Sequence, residues 1–304
     1  MRGLTHKVAL VTGAANGIGL AIAERLYQEG ATLALADWNE EQLAIVIEQF
    51  DSARVFAQKV DVSDPEQVQA LVRKTVERFG RLDILVNNAG IHIPGTVLEC
   101  SVQDWRRIAS VNIDGVVYCA MHALPELIKT RGCMVNTASV SGLGGDWGAA
   151  FYCATKGAVV NFTRALALDH GAQGVRINAV CPSLVKTNMT NGWPQAIRDQ
   201  FNERIALGRA AEPKDVRSLV QLAEQLDCQL IAEGVETRSE LLAIADLGIE
   251  LVQGYLFGSP QLTPQRIYHS QSFSSATVLN IESARTETPL QYLMFQDTPR
   301  MSAL

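Results

Sequence analysis

The sequence has few of the residues from which metal sites and disulfide frameworks are built. Its 304 residues include six cysteines and five histidines. The cysteines form no C-x-x-C pair, the histidines form no H-E-x-x-H motif, and neither set is spaced as metal ligands are. We therefore expect reduced core thiols and no bound metal.

Long apolar runs and an excess of basic charge are also missing. No hydrophobic stretch approaches the roughly 20 residues that a membrane-spanning helix needs, and the amino terminus shows no secretory signal pattern. The net charge of −6 argues against nucleic acid as the main partner. We expect a cytoplasmic protein without membrane or nucleic-acid partners. At 47% hydrophobic residues, it should bury a core in one large domain or two smaller ones.

What the sequence does contain is a pair of residues suited to moving a proton. Tyr152 and Lys156 are four residues apart, so they share a face if the segment from about 149 is helical. A phenol titrates near pH ~10, and an adjacent ammonium should lower that pKa towards the working range. Ser139, at the end of the preceding strand, is expected to hydrogen-bond the same substrate oxygen. By itself the pair equally fits an aromatic and a lysine on an ordinary amphipathic helix.

A glycine-rich turn near the amino terminus predicts a phosphate-binding loop. The apolar run 7–12 leads into Gly13-Ala-Ala-Asn16-Gly17-Ile18-Gly19 and then into an amphipathic segment. Gly13 would permit the turn, Gly17 would let the backbone approach a pyrophosphate, and Gly19 would allow close packing of helix on strand. The free N–H groups of the following helix would face the phosphates. The alternative is a tight strand–helix turn that binds nothing.

The next predicted strand, 32–37, ends in an acid that indicates which dinucleotide is bound. A carboxylate at Asp37 would accept hydrogen bonds from the ribose hydroxyls and repel a 2′-phosphate. Neither residues 14–16 nor residues 38–39 include an Arg or Lys that could receive such a phosphate. The predicted cofactor is therefore NAD rather than NADP.

Strand and helix patterns alternate through the first two thirds of the chain. Further strands are predicted at 54–60, 82–87, 133–138 and 175–181, and a long helix at 102–129 is expected to bend or end at Pro125. This alternation predicts an α/β fold with a doubly wound parallel sheet of the Rossmann type and an atypical C-terminal extension. Gly13, Asp37, Asn87 and Ser139 all follow or end strands, and ligands bind at that edge of such sheets.

Together these motifs resemble the short-chain dehydrogenase/reductase family over residues 1 to about 214. The resemblance rests on Thr12-Gly-x-x-x-Gly17-Ile-Gly19, Asn87-Asn-Ala-Gly90, Asn112, Ser139 and Tyr152-x-x-x-Lys156. It implies that Tyr152 is the acid/base, Ser139 orients the substrate, Lys156 binds ribose and lowers the tyrosine pKa, and Asn112 holds a relay water. The cofactor contacts it implies are Gly13, Asn16, Gly17, Ile18, Gly19, Asp37, Trp38, Asp61, Val62, Asn88, Ala89, Gly90, Tyr152, Lys156, Pro182, Val185 and Thr187.

Within that family, segments 141–148, 181–194 and 205–209 resemble the bacterial meso-2,3-butanediol (acetoin) dehydrogenases. The resemblance implies a mobile lid at 189–193 and a homo-oligomer, with a tetramer expected. The implied substrate contacts are Ser139, Val140, Tyr152 and Trp193. Trp193 also fits an ordinary surface anchor or subunit contact. Ser183 departs from the glycine that many family members have after the proline, which should stiffen the cofactor loop.

After residue 214 the sequence departs from the family. Ala-Glu-Gly-Val-Glu-Thr (232–237) and Gln-Gly-Tyr-Leu-Phe (253–257) resemble the carboxyl end of an EAL-type cyclic-di-GMP phosphodiesterase. The expected organisation is an NAD-binding domain at 1–214, an EAL-like fragment at 215–262 and a mostly disordered tail at 263–304. The last family strand is missing, and we hypothesise that 229–232 or 249–252 takes its place.

Three functions follow, in order of preference. The first is NAD-dependent oxidation of a small secondary alcohol, with 2,3-butanediol and acetoin as the substrate pair. The second is an NAD-binding protein without turnover, because the missing strand leaves the lid or the oligomer unformed. The third is a cyclic-dinucleotide module, which the fragment's lack of the metal-binding acids of such enzymes disfavours.

Overall fold

The computed structural model describes residues 4–204, 209–214, 231–233, 251–253 and 279–280. The chain divides into two compact units, residues 1–218 and residues 219–304. In the described part of the chain, no helix is long and apolar enough to cross a membrane. The division after residue 218 is close to the predicted domain boundary at 214, which stays a prediction.

The first unit is built on a six-stranded parallel sheet in the order β3-β2-β1-β4-β5-β6. Every residue of β1 and β4 is buried, as expected for strands covered on both faces. The chain order reverses between β1 and β4, and the carboxyl ends of these two strands flank the crevice where such sheets bind ligands. The strands are β1 (Val8–Thr12), β2 (Thr32–Asp37), β3 (Val55–Lys59), β4 (Ile84–Asn87), β5 (Cys133–Thr137) and β6 (Arg176–Val180).

Helices cover both faces of this sheet. On one face α1 and α2 enclose a core with residues such as Ala23, Leu43 and Leu33. On the other face α3, α5 and α6 pack on Leu10 and Met134. This confirms the predicted doubly wound fold. The helices are α1 (Gly17–Gln28), α2 (Glu40–Ile47), α3 (Pro65–Phe79), α4 (Val102–Ala109), α5 (Gly115–Thr130), α6 (Ala150–His170), α7 (Asn188–Asn191) and α8 (Gln195–Arg204).

The helix predicted at 102–129 is interrupted in a different place from the one expected. Pro125 was expected to bend or end the helix, and it lies inside α5, which continues to Thr130. Pro125 therefore does not end the helix, and the bend stays a prediction. Proline removes only one N–H, whose partner would be the carbonyl of Met121, and Met121 is exposed, so water can satisfy that carbonyl. The interruption is instead a π-helical turn at Ser110–Asp114, which contains Asn112. Such turns often occur at functional sites.

The second unit contains three short strands that pair with one another. These are β7 (Ile231–Glu233), parallel to β8 (Leu251–Gln253), and β9 (Leu279–Asn280), antiparallel to β8. Residues 231–233 and 251–253 pair with each other, but residues 229–230 and 249–250 lie outside the described residues. The hypothesis that 229–232 or 249–252 takes the place of the last family strand stays a prediction. Within the predicted tail, β9 is a strand; the remainder, with the apolar segment 290–295, lies outside the described residues.

Candidate active site

The glycine turn between β1 and α1 brings three backbone segments into close contact. Gly13 has a φ of +64°, and a Cβ there would lie 2.9 Å from the Cα of Ala89. A Cβ on Gly19 would lie 2.0 Å from the Gly13 carbonyl oxygen. Asn16 precedes α1 without giving its first turn a side-chain hydrogen bond, so the N–H groups of that turn face the cleft uncapped. This arrangement leaves room for a phosphate and supplies donors to it.

Thr12 ties this turn to the loop after β4. Its hydroxyl oxygen accepts hydrogen bonds from the backbone N–H of Asn88 at 3.0 Å and of Ala89 at 3.1 Å. The side-chain amide of Asn88 donates in return to the carbonyl oxygens of Thr12 and Gly13, each at 3.1 Å. Thr12 belongs to the sequence motif, but no role was predicted for it. A hydroxyl at the buried end of β1 is the signal that could have indicated this link.

Asp37 lies at the carboxyl end of β2 with its carboxylate held by backbone donors. It accepts hydrogen bonds from the N–H of Ala15 and of Asn39, both at 2.9 Å. Trp38, 71% exposed, lines the cavity beside it. Asp61 and Val62, which follow the neighbouring strand β3, line the same region.

Asn112 supports the site from beneath. Its side-chain oxygen accepts a hydrogen bond from the N–H of Ile91 at 2.8 Å. Its amide nitrogen donates to the Ile91 carbonyl at 2.9 Å and to the Thr155 hydroxyl at 3.1 Å. The side chain is fully buried and does not line the cavity. We interpret Asn112 as a positioning residue for the loop after β4; the expected role in holding a water stays a prediction.

Lys156 and Tyr152 lie together at the start of α6, as the spacing predicts. The Lys156 ammonium is 5.7 Å from the centre of the Tyr152 ring and donates a hydrogen bond to the Thr137 carbonyl at 2.7 Å. Only 4% of Lys156 is exposed, and burial lowers its pKa from 10.5 to about 8. With a pKa of about 8, Lys156 carries its charge in most molecules at neutral pH, and this charge lies next to the phenol.

The pKa of Tyr152 was expected to be lowered, and for the ligand-free protein this expectation is wrong. Burial raises that pKa, and a hydrogen bond with Ser139 opposes the rise without cancelling it. The nearby carboxylate of Asp146 raises it further. Taking a phenolate out of water costs more than the hydrogen bond with Ser139 returns in this state.

Beyond Ser139 lie three polar residues that sequence reasoning did not single out. Ser141 accepts a hydrogen bond from the Ser139 hydroxyl at 3.1 Å and donates one to Asp146. The His92 ring lies 5.0 Å from the Tyr152 ring and 5.4 Å from the Trp193 ring, centre to centre. Burial lowers the pKa of His92, although the charge of Asp146 acts in the opposite direction. The Ser-x-Ser spacing was visible in the sequence, but the Asp146 contact depends on how the loop folds.

The loop after β6 closes the other side of the cavity. Its backbone is held by two hydrogen bonds to Ala211: Lys186 N–H to its carbonyl at 2.8 Å, and its own N–H to the Leu184 carbonyl at 2.9 Å. Val185 is buried, and the Thr187 methyl group lies 3.1 Å from where a Cβ on Gly17 would be. The segment predicted as a lid, 189–193, includes all of α7 except its first residue and ends at Trp193, whose ring lies against His92.

One cavity of about 910 Å³ joins these groups. Of the predicted site residues only Gly19 and Asn112 are not part of its wall; Gly19 packs against Gly13, and Asn112 holds the loop after β4. Among the residues that the structure describes, no group of three or more His, Cys, Asp or Glu side chains is placed to hold a metal ion. The predicted residues on its wall are Gly13, Asn16, Gly17, Ile18, Asp37, Trp38, Asp61, Val62, Asn88, Ala89, Gly90, Ser139, Val140, Tyr152, Lys156, Pro182, Val185, Thr187 and Trp193.

Comparison with known proteins agrees with this geometry. The family described as short chain dehydrogenase matches residues 7–198. The chain belongs to this family. A meso-2,3-butanediol dehydrogenase of Serratia marcescens is 60% identical over 226 residues, which cover 74% of this chain and 90% of that protein. A 3-oxoacyl-[acyl-carrier-protein] reductase of Thermotoga maritima is 36% identical over 71% of this chain and 89% of its own length.

The fold has a solved relative as well. The crystal structure of 3-ketoacyl-(acyl-carrier-protein) reductase from Brucella melitensis complexed with NADH superposes with a TM-score of 0.68 at 30% identity, covering 74% of this chain and 93% of that one. A second family, described as EAL domain, matches residues 204–260. This dehydrogenase chain therefore carries a segment similar to part of an unrelated family, as the sequence indicated.

Proposed function

We propose that the protein is an NAD-dependent alcohol dehydrogenase that interconverts a small secondary alcohol and its ketone, with 2,3-butanediol and acetoin as the pair. The observation that carries the proposal is the position of Ser139, Tyr152 and Lys156 on the wall of a cavity that also reaches Gly13 and Asp37. A dinucleotide and a small substrate can share such a cavity. The 60% identity to the Serratia enzyme supports this diol.

The chain's own residues fit NAD. The close approach of backbone at Gly13 leaves no space for a side chain, and the uncapped first turn of α1 offers N–H donors to a pyrophosphate. The carboxylate of Asp37, already oriented by two backbone N–H groups, suits ribose hydroxyls and opposes a 2′-phosphate. We therefore propose NAD in preference to NADP.

Tyr152 is the residue to which we assign the proton. When bound, NAD supplies the hydride acceptor. During alcohol oxidation Tyr152 takes the hydroxyl proton, and Ser139 donates a hydrogen bond to the same oxygen. Because burial raises the pKa of Tyr152, its phenolate depends on the adjacent charge of Lys156, whose pKa of about 8 leaves it mostly protonated at neutral pH.

The character of the cavity wall supports a small, uncharged substrate. Val140, Trp147, Met189 and Trp193 give the wall apolar surface suited to methyl groups. The carboxylate of Asp146 on the same wall disfavours anionic substrates such as hydroxy acids by charge repulsion. A diol of four carbons matches both features.

The test is NADH formation, followed at its absorbance, when the stereoisomers of 2,3-butanediol are added with NAD. We expect turnover with at least one isomer, much slower turnover with NADP, and none with a hydroxy acid of the same size. Absence of turnover with every diol and with acetoin plus NADH would refute the proposal.

A second candidate is a protein that binds NAD without turnover. It is favoured by the EAL match, which begins at residue 204, the last residue of α8, seven residues before Ala211. Ala211 hydrogen-bonds to the loop after β6. Binding of NADH without reaction of either diol or acetoin would support this candidate. Size-exclusion chromatography on the same sample would test the homo-oligomer, which we propose as a tetramer, and fractionation of cells would test the proposed cytoplasmic location.

A further inference from the structure

We propose that His92 binds the second hydroxyl group of a vicinal diol and thereby makes the site select diols and hydroxyketones over simple alcohols. The inference deepens the proposed function and rests on it, because it concerns the oxygen next to the one whose proton Tyr152 takes. In both 2,3-butanediol and acetoin this second oxygen belongs to a hydroxyl group. One residue can therefore bind it in either direction of the reaction.

The backbone that carries His92 is fixed by its neighbour in the loop after β4. The N–H of Ile91 donates a hydrogen bond to the Asn112 side-chain oxygen at 2.8 Å, and the Ile91 carbonyl accepts one from the Asn112 amide nitrogen at 2.9 Å. Asn112 is itself fully buried. A side chain on backbone held in this way is preorganised, so it loses little freedom when a ligand binds.

The His92 ring packs against two aromatic rings of the cavity wall. Its centre lies 5.0 Å from that of the Tyr152 ring, edge to face, and 5.4 Å from that of the Trp193 ring. All three side chains line the cavity. The two oxygens of a vicinal diol are on adjacent carbons, so a residue that binds the second oxygen has to lie beside the residue that takes the proton from the first. His92 meets this requirement.

The ring nitrogens of His92 are available to a ligand. In the part of the chain that the structure describes, no group hydrogen-bonds to either nitrogen, and neither nitrogen is sealed from solvent. The nearby polar side chains differ in this respect, because Ser139 donates to Ser141 at 3.1 Å and Ser141 donates to Asp146. His92 therefore offers hydrogen-bonding capacity that the fold itself does not use.

The charge of the ring suits a hydroxyl group better than a carboxylate. Burial lowers the pKa of His92, although the charge of Asp146 acts in the opposite direction, so the ring is neutral in most molecules at neutral pH. A neutral imidazole donates from one nitrogen and accepts at the other, and a hydroxyl group can serve either nitrogen. A site that hydrogen-bonds a substrate hydroxyl rejects the analogue that lacks it, because polar groups of the site are then left unpaired.

The experiment compares 2,3-butanediol with 2-butanol, which has the same carbon skeleton and lacks only the second hydroxyl group. For the wild type we expect kcat/KM with NAD to be at least about 100-fold higher for the diol. His92→Phe keeps an aromatic ring against Tyr152 and Trp193 but has no ring nitrogen. In this variant we expect kcat/KM for the diol to fall about 10–100-fold and kcat/KM for 2-butanol to stay within about twofold.

Two further readouts separate binding of the second hydroxyl from a structural role. His92→Asn and His92→Gln each carry an amide that can donate and accept, and at least one should keep the diol preference within about fivefold of wild type. In two diol isomers with the same configuration at the oxidised carbon, the second hydroxyl and its methyl group exchange places. We expect the wild type to discriminate between these isomers at least about tenfold, and His92→Phe to lose most of this discrimination.

The chain offers a matched control in His122, which is half-buried in α5 and is not part of the cavity wall. His122→Phe makes the same substitution there, and neither kcat/KM value should change by more than about twofold. An unchanged diol preference in His92→Phe, or an equal loss with both substrates, would overturn the inference. Wild-type protein that oxidises 2-butanol as efficiently as the diol would overturn it without any variant and leave the proposed dehydrogenase activity intact. Absence of turnover with every diol and with acetoin would instead refute the proposed function.

Discussion

At one end of the cavity, which includes Asp37 and Asn88 and is called the nucleotide end, most polar contacts involve backbone groups. At the other end, which includes Ser139, Ser141 and Asp146 and is called the substrate end, polar contacts join one side chain to another. Asp37 is held by two backbone N–H groups, and Asn88 by backbone carbonyls. Ser139, Ser141 and Asp146, in contrast, are linked by their side chains. We infer that the first end depends on the path of the chain, and the second on the chemistry of a few replaceable groups.

The largest effect expected from this difference is at Tyr152. Tyr152→Phe keeps the ring against His92 but removes the group that carries the proton. General acid–base catalysis contributes about 10²–10⁴-fold, so we expect kcat/KM for diol oxidation to fall about 10³-fold. NADH affinity, measured by fluorescence titration, should change by no more than about threefold because the fold is kept. Substantial residual turnover would show that another group takes the proton.

At the nucleotide end the corresponding prediction is steric. In Gly19→Ala the new Cβ meets the Gly13 carbonyl at 2.0 Å and the Asn88 side-chain nitrogen at 2.5 Å. The carbonyl belongs to backbone and cannot rotate away, so we expect at least about 2 kcal/mol of destabilisation in thermal unfolding, with weaker NADH binding. Gly144→Ala, whose Cβ meets nothing within 4 Å, is the control and should unfold like wild type. Equal stability of both variants would contradict the close packing of Gly19 against Gly13.

Substitutions of Asp37 test whether the nucleotide end also requires a particular charged side chain. Asp37→Ser removes the charge that we expect to bind the ribose, and hydrogen bonds to charged groups contribute about 1.5–3 kcal/mol. We expect kcat/KM for NAD to fall about 10–100-fold and the preference for NAD over NADP to shrink. Asp37→Asn, which keeps an acceptor of the same shape, should lose less with NAD. An unaltered NAD/NADP ratio in both variants would mean that another residue excludes the 2′-phosphate.

The sequence was most informative where structure is set by periodic burial. All six strands of the sheet lie within two residues of their predicted bounds, because apolar runs between turns identify them. The short helix α2 (Glu40–Ile47) was not predicted, although Asn39 caps it with a hydrogen bond to Gln42 N–H. At eight residues it is too short for periodicity to show clearly.

The substrate end was less predictable because its contacts depend on loop conformation. Ser139, Tyr152 and Lys156 were found from spacing alone, since a strand end and a helix face fix them. Asp146 reaches Ser141 only through the fold of the intervening loop, and no pattern in the sequence indicates that contact. The raised pKa of Tyr152 was missed for a related reason: spacing gives the distance to a lysine but says nothing about burial.

The last prediction concerns Lys156, where the two ends of the cavity meet. Burial lowers its pKa from 10.5 to about 8, so below pH ~8 both the folded and the unfolded protein carry the charge and the folded state bears the full cost. At about 1.36 kcal/mol per pH unit this cost is about 3 kcal/mol. Lys156→Met avoids it but loses the hydrogen bond to Thr137, worth about 1 kcal/mol. We expect the ligand-free variant to be about 2 kcal/mol more stable than wild type at neutral pH, and inactive.

The pH dependence distinguishes this explanation from simple improvement of packing. Between pH ~8 and 10.5 the folded protein loses the Lys156 proton while the unfolded chain keeps it, so the stability of the wild type rises relative to that of the variant. The difference in unfolding free energy, measured in urea across this range, should therefore shrink towards zero and then reverse as only the lost hydrogen bond remains. A difference that does not vary with pH would mean that methionine stabilises by packing, and that the buried charge costs the fold little.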